Sequence, residues 1–190
     1  MKRFASLCLA FMSLFLCAFY CGKDWHYGHF YVKNTTDQTF LLHVKLLNPQ
    51  FKGTKTDSDY KLNPGDSVEI GTRADPFVGH YSVGILRGFD IIMSSEDGTR
   101  LRRWVDVSSW VGSDKSKYNI PTDKETALEE CYVPFFKEYN IRDLCNADEW
   151  IWILVNDDQY ITFEIRPEDL IPIPEIIAEK DNNSNLAQNE

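Results

Sequence analysis

Three residues near the start of the chain have types and spacing that suggest metal chemistry. Asp24, His26 and His29 could supply a carboxylate and two imidazoles, which are ligands that zinc accepts. A closed zinc site needs a fourth ligand, and two histidines three positions apart converge only on a helical turn or in a loop. The surrounding residues have the pattern of a tether or a strand, so we predict no metal site and no cofactor.

A second segment, Gly65-Asp66-Ser67-Val68, has the residues of the nucleophile block of GDSL-type hydrolases. That chemistry needs a serine at the end of a buried strand and a histidine that takes its proton. Here the block follows Asn63-Pro64, which is turn sequence. All the histidines of the chain also lie in its N-terminal half, whereas that family has its histidine in the C-terminal half. The segment therefore predicts a β-turn that enters a strand, and no catalytic residue.

Acidic residues dominate the charge of the chain. Its 190 residues include 29 Asp plus Glu and 20 Lys plus Arg, which gives a net charge of −9. Nucleic-acid-binding proteins carry basic patches that neutralise phosphates, so we predict no nucleic-acid partner. The adjacent acids Glu129-Glu130 and Asp157-Asp158 are typical of charged side chains exposed to solvent. Two catalytic carboxylates would instead lie opposite each other across the substrate. No P-loop, dinucleotide-binding, zinc-protease or nucleophile-elbow motif occurs in the sequence.

Tryptophans provide the candidates for a binding surface. On a β-sandwich, an exposed tryptophan can stack on a sugar ring or anchor a protein partner. Trp150 and Trp152 lie in an apolar run that is typical of core packing. We therefore predict that Trp104 and Trp110 are the ligand-binding candidates, because Trp110 lies in a segment rich in Ser and Gly. Their ligand would be an unknown protein or glycan.

The first 21 residues have the layout of a secretory signal peptide. Lys2 and Arg3 supply the positive start, and residues 4–21 contain no charge and are mostly apolar. An uncleaved membrane anchor is an alternative, since 18 apolar residues just span a bilayer. We predict an exported protein that reaches a membrane only through this segment or a lipid.

Cys21 is the candidate for lipidation in a lipoprotein signal. Ala18 lies three residues before it, and Gly22 after it suits a flexible tether. Cys17 follows three bulky residues and fits such a signal badly. Simple cleavage after Ala18 is the alternative, and it gives a secreted protein without a lipid.

Two other cysteines, Cys131 and Cys145, belong to the body of the exported chain. Two cysteines in an exported chain predict one disulfide, which would close a loop of about 15 residues and contribute about 3 kcal/mol. The alternative is two buried thiols that pack as small hydrophobic groups. No C-x-x-C motif indicates a redox enzyme.

Alternating apolar residues predict a domain built mainly of β-strands. The alternation is clear in residues 30–33, 40–46, 81–85 and 160–165, while residues 150–155 are apolar on both faces, as in a central strand. Residues 34–38 predict the turn of a hairpin, Pro64-Gly65 a type II turn, and Asp97-Gly98 a second hairpin. Strands at this spacing predict an antiparallel β-sandwich or a small barrel over residues 22–172.

One short helical insertion is expected near residues 122–139. Thr122 and Glu125 have the spacing of a capping box, and Pro134 should end or reset the helix. After Pro172 the chain is mostly polar. We therefore predict that residues 173–190 form a disordered tail.

Part of this pattern resembles a known group of proteins. A signal peptide with a candidate lipid cysteine is followed by the strand Phe30-Tyr31-Val32-Lys33-Asn34 and by Leu62-x-Pro64-Gly65-Asp66-Ser67 leading into Val68-Glu69-Ile70. Over residues 1–110 the chain resembles small uncharacterised β-sandwich lipoproteins of Gram-negative gut anaerobes. The resemblance implies a location in the cell envelope and a sandwich fold. We thus expect a non-enzymatic binding or structural module, with a small exported hydrolase or metal-dependent enzyme as the alternative.

Overall fold

Two four-stranded β-sheets pack face to face in the computed structural model, which describes residues 26–46, 57–75, 89–106, 119–156 and 158–187. The strands are β1 (His26–Asn34), β2 (Phe40–Leu46), β3 (Asp57–Leu62), β4 (Ser67–Asp75), β5 (Phe89–Ser95), β6 (Arg100–Asp106), β7 (Trp150–Val155) and β8 (Asp158–Ile165). Sheet A has the order β4-β1-β8-β7, and sheet B has the order β3-β2-β5-β6. All neighbouring pairs of these strands are antiparallel except β1 and β8. The predicted mainly β sandwich is confirmed, and the sheets are not closed into a barrel.

Alternating side chains of both sheets form the core between them. In β2 every second residue from Phe40 to Leu46 is buried, and in β8 Ile161, Phe163 and Ile165 are completely buried. The Trp104 ring of β6 meets the Phe163 ring of β8 edge-on at 6.1 Å between centroids. Because each fully buried large side chain contributes about 1.5–3 kcal/mol, this shared core holds the two sheets together.

The connection from β1 to β2 passes from sheet A to sheet B, so the hairpin predicted there is wrong. Asn34, which is completely buried, directs this crossing. Its side-chain amide donates to the carbonyls of Gln38 at 2.8 Å and Leu62 at 3.1 Å, and its Oδ1 accepts from the Thr36 N–H at 2.9 Å. The side chain therefore takes the place of the backbone pairs that a hairpin would have formed.

Replacing Asn34 with alanine should lower the free energy of unfolding by about 2–3 kcal/mol, because buried backbone groups would lose their partners. Asn63→Ala is the matched control, since Asn63 lies in an exposed turn, where its side-chain amide donates to Asp66 at 2.9 Å and its Oδ1 accepts from the exposed Thr39 hydroxyl at 3.4 Å. We expect that variant to lose less than about 1 kcal/mol. Urea unfolding followed by circular dichroism measures both, and an equal loss in the two variants would contradict this role of Asn34.

Two of the predicted turns are confirmed. Gly65 has φ +85° and follows Pro64, and the Asp66 N–H donates to the Asn63 carbonyl at 3.0 Å. This turn joins β3 to β4 and so connects the two sheets. Gly98 has φ +88° in the hairpin between β5 and β6, where the Gly98 N–H donates to Ser95 O at 3.0 Å. A glycine is favoured at both positions because a positive φ strains residues with a Cβ.

The helical insertion lies against the β6 edge of sheet B. Helix α1 (Lys124–Glu129) begins after Asp123, whose carboxylate accepts from the Thr126 N–H, so the cap is one residue later than predicted. Arg103 of β6 is bonded to Asp90 Oδ2 at 2.9 Å and to Glu130 Oε2 at 3.0 Å. Short 3-10 turns at Val133–Phe135 and Lys137–Tyr139 follow.

The predicted disordered tail is wrong over most of its length. Helix α2 (Ile173–Ala187) begins at the Pro172-Ile173-Pro174 sequence. Prolines are tolerated in a first helical turn, because the N–H groups there have no partner within the helix. Ile173 and Ile177 are one turn apart and buried in the core. Burial of this narrow apolar face holds the start of a mostly polar helix against the domain.

Strand β7 lies at the border of sheet A, although its sequence predicted a central strand. It pairs with β8, and β8 pairs on its other side with β1. Within the described residues β7 therefore has one neighbouring strand. The apolar character of both its faces is consequently not explained by burial inside the sheet.

Candidate functional site

A continuous row of exposed apolar side chains lies on β7. The exposed fractions are 42% for Ile151, 37% for Trp152, 55% for Ile153, 59% for Leu154 and 46% for Val155. These five consecutive residues are most of the exposed large hydrophobic side chains in the described part of the chain. We call the side chains of Ile151–Val155 the β7 surface. Contiguous exposed apolar groups of this kind mark interaction sites more often than single exposed ones do.

Pairing with β8 orients the side chains of β7. Trp150 lies opposite Phe163 and is 5% exposed, and its indole N–H donates to the Leu144 carbonyl at 2.9 Å. Because side chains alternate along a strand, Trp152 and Leu154 are on the same side as Trp150. The other three members of the β7 surface are on the outer side of sheet A. The site is therefore anchored by a buried tryptophan at one end and open on both faces beyond it.

Among the residues that the structure describes, none provides the usual protection of the β7 border against pairing with another chain. Border strands commonly carry a lysine, a proline or a bulge that prevents addition of a further strand. The six residues of β7 are all apolar, and its register with β8 is unbroken. In an antiparallel pair, every second residue directs its N–H and C=O away from its partner. The second side of β7 thus presents donors and acceptors together with apolar side chains.

Aromatic rings extend this surface across the outer face of sheet A. Ile153 is paired with Tyr160 of β8, and the Tyr160 ring is stacked on His29 at 5.1 Å and on Tyr31 at 6.3 Å between centroids. Tyr27, which is 41% exposed, follows at 6.3 Å from His29. We call these four rings the aromatic row. Flat rings next to exposed aliphatic groups form a surface suited to contact with a protein partner.

The carboxylate of Glu69 contacts the aromatic row from β4. Glu69 Oε1 of β4 lies 2.8 Å from His29 Nδ1, and the Thr72 hydroxyl donates to the same oxygen. Partial burial, and to a smaller extent the Glu69 charge, raises the pKa of the Tyr31 hydroxyl, so this ring stays neutral. The carboxylate thus orients the histidine ring that stacks on Tyr160.

Acidic residues are found at both ends of β7. Asp148 is exposed just before the strand, and Glu149 next to it is bonded to Arg142 at 2.9 Å. Asp158 begins β8, and its carboxylate accepts from the Tyr27 N–H at 2.9 Å. Negative charge is therefore exposed at the start of the neutral β7 surface, which favours a partner with positive charge at the matching position.

The structure buries Trp104, so its prediction as a ligand-binding residue is wrong. Its side chain is completely buried between the sheets, and its indole N–H donates to the Arg142 carbonyl at 3.4 Å. Trp104 pairs with the buried Ile91 of β5, and this register directs the indole ring into the core. The other candidate, Trp110, and the predicted lipidation residue Cys21 lie outside the described residues.

No disulfide joins Cys131 and Cys145 in the structure, which contradicts the predicted bridge. The Cys131 thiol is buried beside β6 and donates to the Arg100 carbonyl at 3.2 Å. Cys145 is half-buried in a separate turn, where its N–H donates to Asp143 Oδ1 at 2.9 Å. The two side chains thus have different surroundings, and Cys131 packs as the small hydrophobic group that was the alternative.

Both cysteines should be labelled by a thiol reagent in the unfolded protein without any reductant. In the folded protein Cys145 should react first, because burial shields the Cys131 thiol and raises its pKa. Peptide mass spectrometry after alkylation measures the two sites separately. Labelling that begins only after reduction would show a disulfide and contradict the structure.

The other residues with candidate chemistry are dispersed. Ser67 is exposed at the start of β4, next to the turn that the sequence predicted there. His43 on sheet B is bonded to Asp59 at 2.8 Å, on the sheet opposite to His29. In the described part of the chain, no group of three or more His, Cys, Asp or Glu side chains is arranged to hold a metal ion. The same residues include no helix with the length and apolarity needed to cross a bilayer.

Sequence reasoning did not find the β7 surface, because an apolar hexapeptide reads equally well as a buried strand. The acidic residues that flank it on both sides were the available signal. A central strand of a sandwich also begins and ends where the core ends, so acidic residues can flank it as well. The flanking acids alone therefore do not distinguish a border strand from a central one. Comparisons with protein-family models, with curated proteins and with solved structures found no match to this chain.

Proposed function

We propose that this protein is an exported, non-enzymatic module that binds another protein through the β7 surface and the adjoining aromatic row. One observation carries the proposal: five consecutive apolar residues, 37% to 59% exposed, lie on a strand with one neighbour in the described part of the chain. Such exposure is unfavourable unless a partner covers it, since burying these side chains would contribute about 25 cal/mol per Å².

Several features favour a protein partner over a glycan. Sugar binding depends mainly on flat aromatic rings that stack on the sugar. Four of the five residues of the β7 surface are aliphatic, and Trp104 is buried. Aliphatic side chains, together with backbone groups that pair with no strand in the described part of the chain, match the requirements of a polypeptide strand.

Residues 1–21 support export. A positive start and an uncharged apolar segment fit a signal that is removed, and Cys21 directly after it fits the residue that would carry a lipid. After removal of Lys2 and Arg3 the chain is still more anionic and would be repelled by anionic lipid surfaces. We therefore propose that the protein is either held in the cell envelope by a lipid on Cys21 or secreted.

The location is tested by the intact mass of the protein from its native host. A mass that begins at Cys21 and includes acyl chains would support the lipid anchor. An unmodified mass that begins near Phe19 in a soluble exported fraction would support secretion. A cytoplasmic protein that retains residues 1–21 would contradict export.

The binding surface is tested with Ile153→Lys/Val155→Lys, which places two charges on the exposed outer side of β7. Leu41→Lys is the matched control, because Leu41 is 37% exposed on β2 of sheet B. We expect host envelope proteins to be recovered with the wild type and the control in equal amounts, and at least about tenfold less with the double variant. Equal recovery with all three proteins, each shown to be folded by circular dichroism, would contradict the proposal.

A further inference from the structure

We infer that the partner supplies one extended segment, apolar at its centre and basic at the end beside Asp148, which adds to β7 as a fifth strand of sheet A. This inference rests on the proposed function and names the chemistry of its partner. Every second residue of β7 directs its N–H and C=O away from β8, which is the requirement for strand addition. A strand that pairs with all six residues of β7 would be about 20 Å long.

The side chains of β7 define the centre of the incoming segment. Side chains directly opposite one another on paired strands have Cβ atoms about 4.5–5.5 Å apart. One side of the added strand would contact Trp152 and Leu154, and the other side would contact Ile151, Ile153 and Val155. A segment that alternates apolar and polar residues would leave one of these groups facing polar side chains. The matching segment is therefore apolar on both sides.

The charge before β7 defines one end of the segment. Asp148 is exposed just before the strand, whereas the Asp158 carboxylate accepts from the Tyr27 N–H of β1, on the side of β8 away from β7. The whole chain carries a net charge of −9. Lysine or arginine at the end of the added strand beside Asp148 would be attracted by this carboxylate and by the net negative charge, whereas acidic residues there would be repelled.

The same charges make a second copy of this chain a poor occupant. Two β7 strands related by a twofold axis would pair antiparallel, so the start of each strand would lie beside the end of the other. That arrangement brings together two chains that each carry a net charge of −9. A net charge far from zero keeps copies of one protein apart through their mutual repulsion. A basic segment from a different protein avoids this repulsion.

Three fluorescein-labelled peptides test the inference by fluorescence anisotropy with the processed protein from its host. The first is Lys-Lys-Val-Ile-Val-Ile-Val-Lys-Lys, the second has Glu at its four terminal positions, and the third has Pro at the central position of the first. We expect the basic peptide to bind at least about tenfold more tightly than the acidic one. Proline removes a backbone donor and its ring blocks pairing, so the third peptide should lose at least about tenfold as well.

Protein variants distinguish strand addition at β7 from attraction by net charge alone. Binding of the basic peptide should fall at least about tenfold in Ile153→Lys/Val155→Lys and stay unchanged in Leu41→Lys. Equal binding of the basic and proline peptides, or equal binding to both variants, would overturn the inference. A concentration-dependent dimer in sedimentation, lost in the double variant, would also overturn it in favour of a second copy.

The two proposals fail differently. If host proteins are recovered only by folded proteins with an intact β7 surface but the peptides show no preference, the inference fails and the binding function stands. If neither host proteins nor peptides depend on the β7 surface, the binding function itself fails.

Discussion

Replacing Arg142 with methionine is expected to lower the free energy of unfolding by about 3–5 kcal/mol. Its guanidinium donates to Asp169 Oδ2 at 2.6 Å, to Glu149 Oε2 at 2.9 Å and to the Glu164 carbonyl at 2.7 Å. It also lies 4.7 Å from the centre of the Phe163 ring. The side chain thus joins the turn before β7, strand β8 and the segment before α2. Its loss leaves the carboxylate of Asp169, which is 1% exposed, without its closest positive partner.

The pH dependence of the stability loss in Arg142→Met distinguishes the effect of an unpaired buried charge from that of lost packing. Burial already raises the pKa of the Asp169 carboxyl, while the Arg166 N–H and Arg142 act in the opposite direction. Without Arg142 this pKa should rise further, so the folded variant binds a proton that the unfolded chain has released. Stability of the variant then falls as pH rises through that range. We expect a smaller loss at about pH 5 than at about pH 7.

Lys61→Met is the matched control for the loss of an ion pair. Lys61 and Glu96 are 2.7 Å apart, but their side chains are 59% and 56% exposed. Such surface pairs contribute about 0–1 kcal/mol because water screens them. Urea unfolding of both variants at the two pH values measures the difference. Equal losses in the two variants, or no change of the Arg142→Met loss with pH, would contradict the role given to Asp169.

Replacing Trp104 with alanine is the second large expected effect, a loss of about 3–5 kcal/mol. The side chain is completely buried between the sheets and contacts Phe163. Alanine would leave a cavity there and remove the hydrogen bond to the Arg142 carbonyl. Because the ring belongs to the core, the variant should bind the partner normally under conditions in which it remains folded.

Trp152→Ala is the matched control, with the opposite expected result. Its ring is 37% exposed on the β7 surface, so we expect a loss of stability of about 1 kcal/mol or less and a clear loss of binding. Circular dichroism during denaturation gives the stabilities, and recovery of host proteins gives the binding. A variant of Trp104 that is stable but does not bind would reverse the assignment of the two residues.

The turns and the alternating strands could be predicted because each depends on a few neighbouring residues. Pro64-Gly65 and Asp97-Gly98 specify their turns through fixed or positive φ angles, and the hairpin of β5 and β6 follows from the second. The connection after Asn34 has the same kind of polar sequence as a hairpin. It leads to the other sheet because Asn34 bonds to the distant Leu62 carbonyl, a contact that local sequence does not reveal.

The position of β7 could not be predicted from its residues. An apolar run indicates that both faces of a strand are covered from water. The residues that cover them belong to other parts of the chain or to another protein, and the run itself does not reveal which. The parallel pairing of β8 with β1 places β8, not β7, inside sheet A. A binding surface made of the same residue types as the core therefore cannot be distinguished from the core by sequence alone.

Helix α2 was missed for a related reason. Its composition after Pro174 is polar, and a polar helix without packing is not stable. Burial of Ile173 and Ile177 in the domain core supplies the missing stabilisation. That packing depends on the position of the sandwich next to the helix, which only the folded structure provides.

Hydrogen exchange of the β7 amides tests the central claim most directly. The protein is measured alone and in the complex with its partner from the host envelope. Within Ile151–Val155, we expect the amides that point away from β8 to exchange quickly in the free protein and to become protected in the complex. The exchange rates of sheet B should stay unchanged. Full protection of β7 in the free monomer would mean that its own chain covers the strand. That result, or fast exchange of β7 in the complex, would contradict the account.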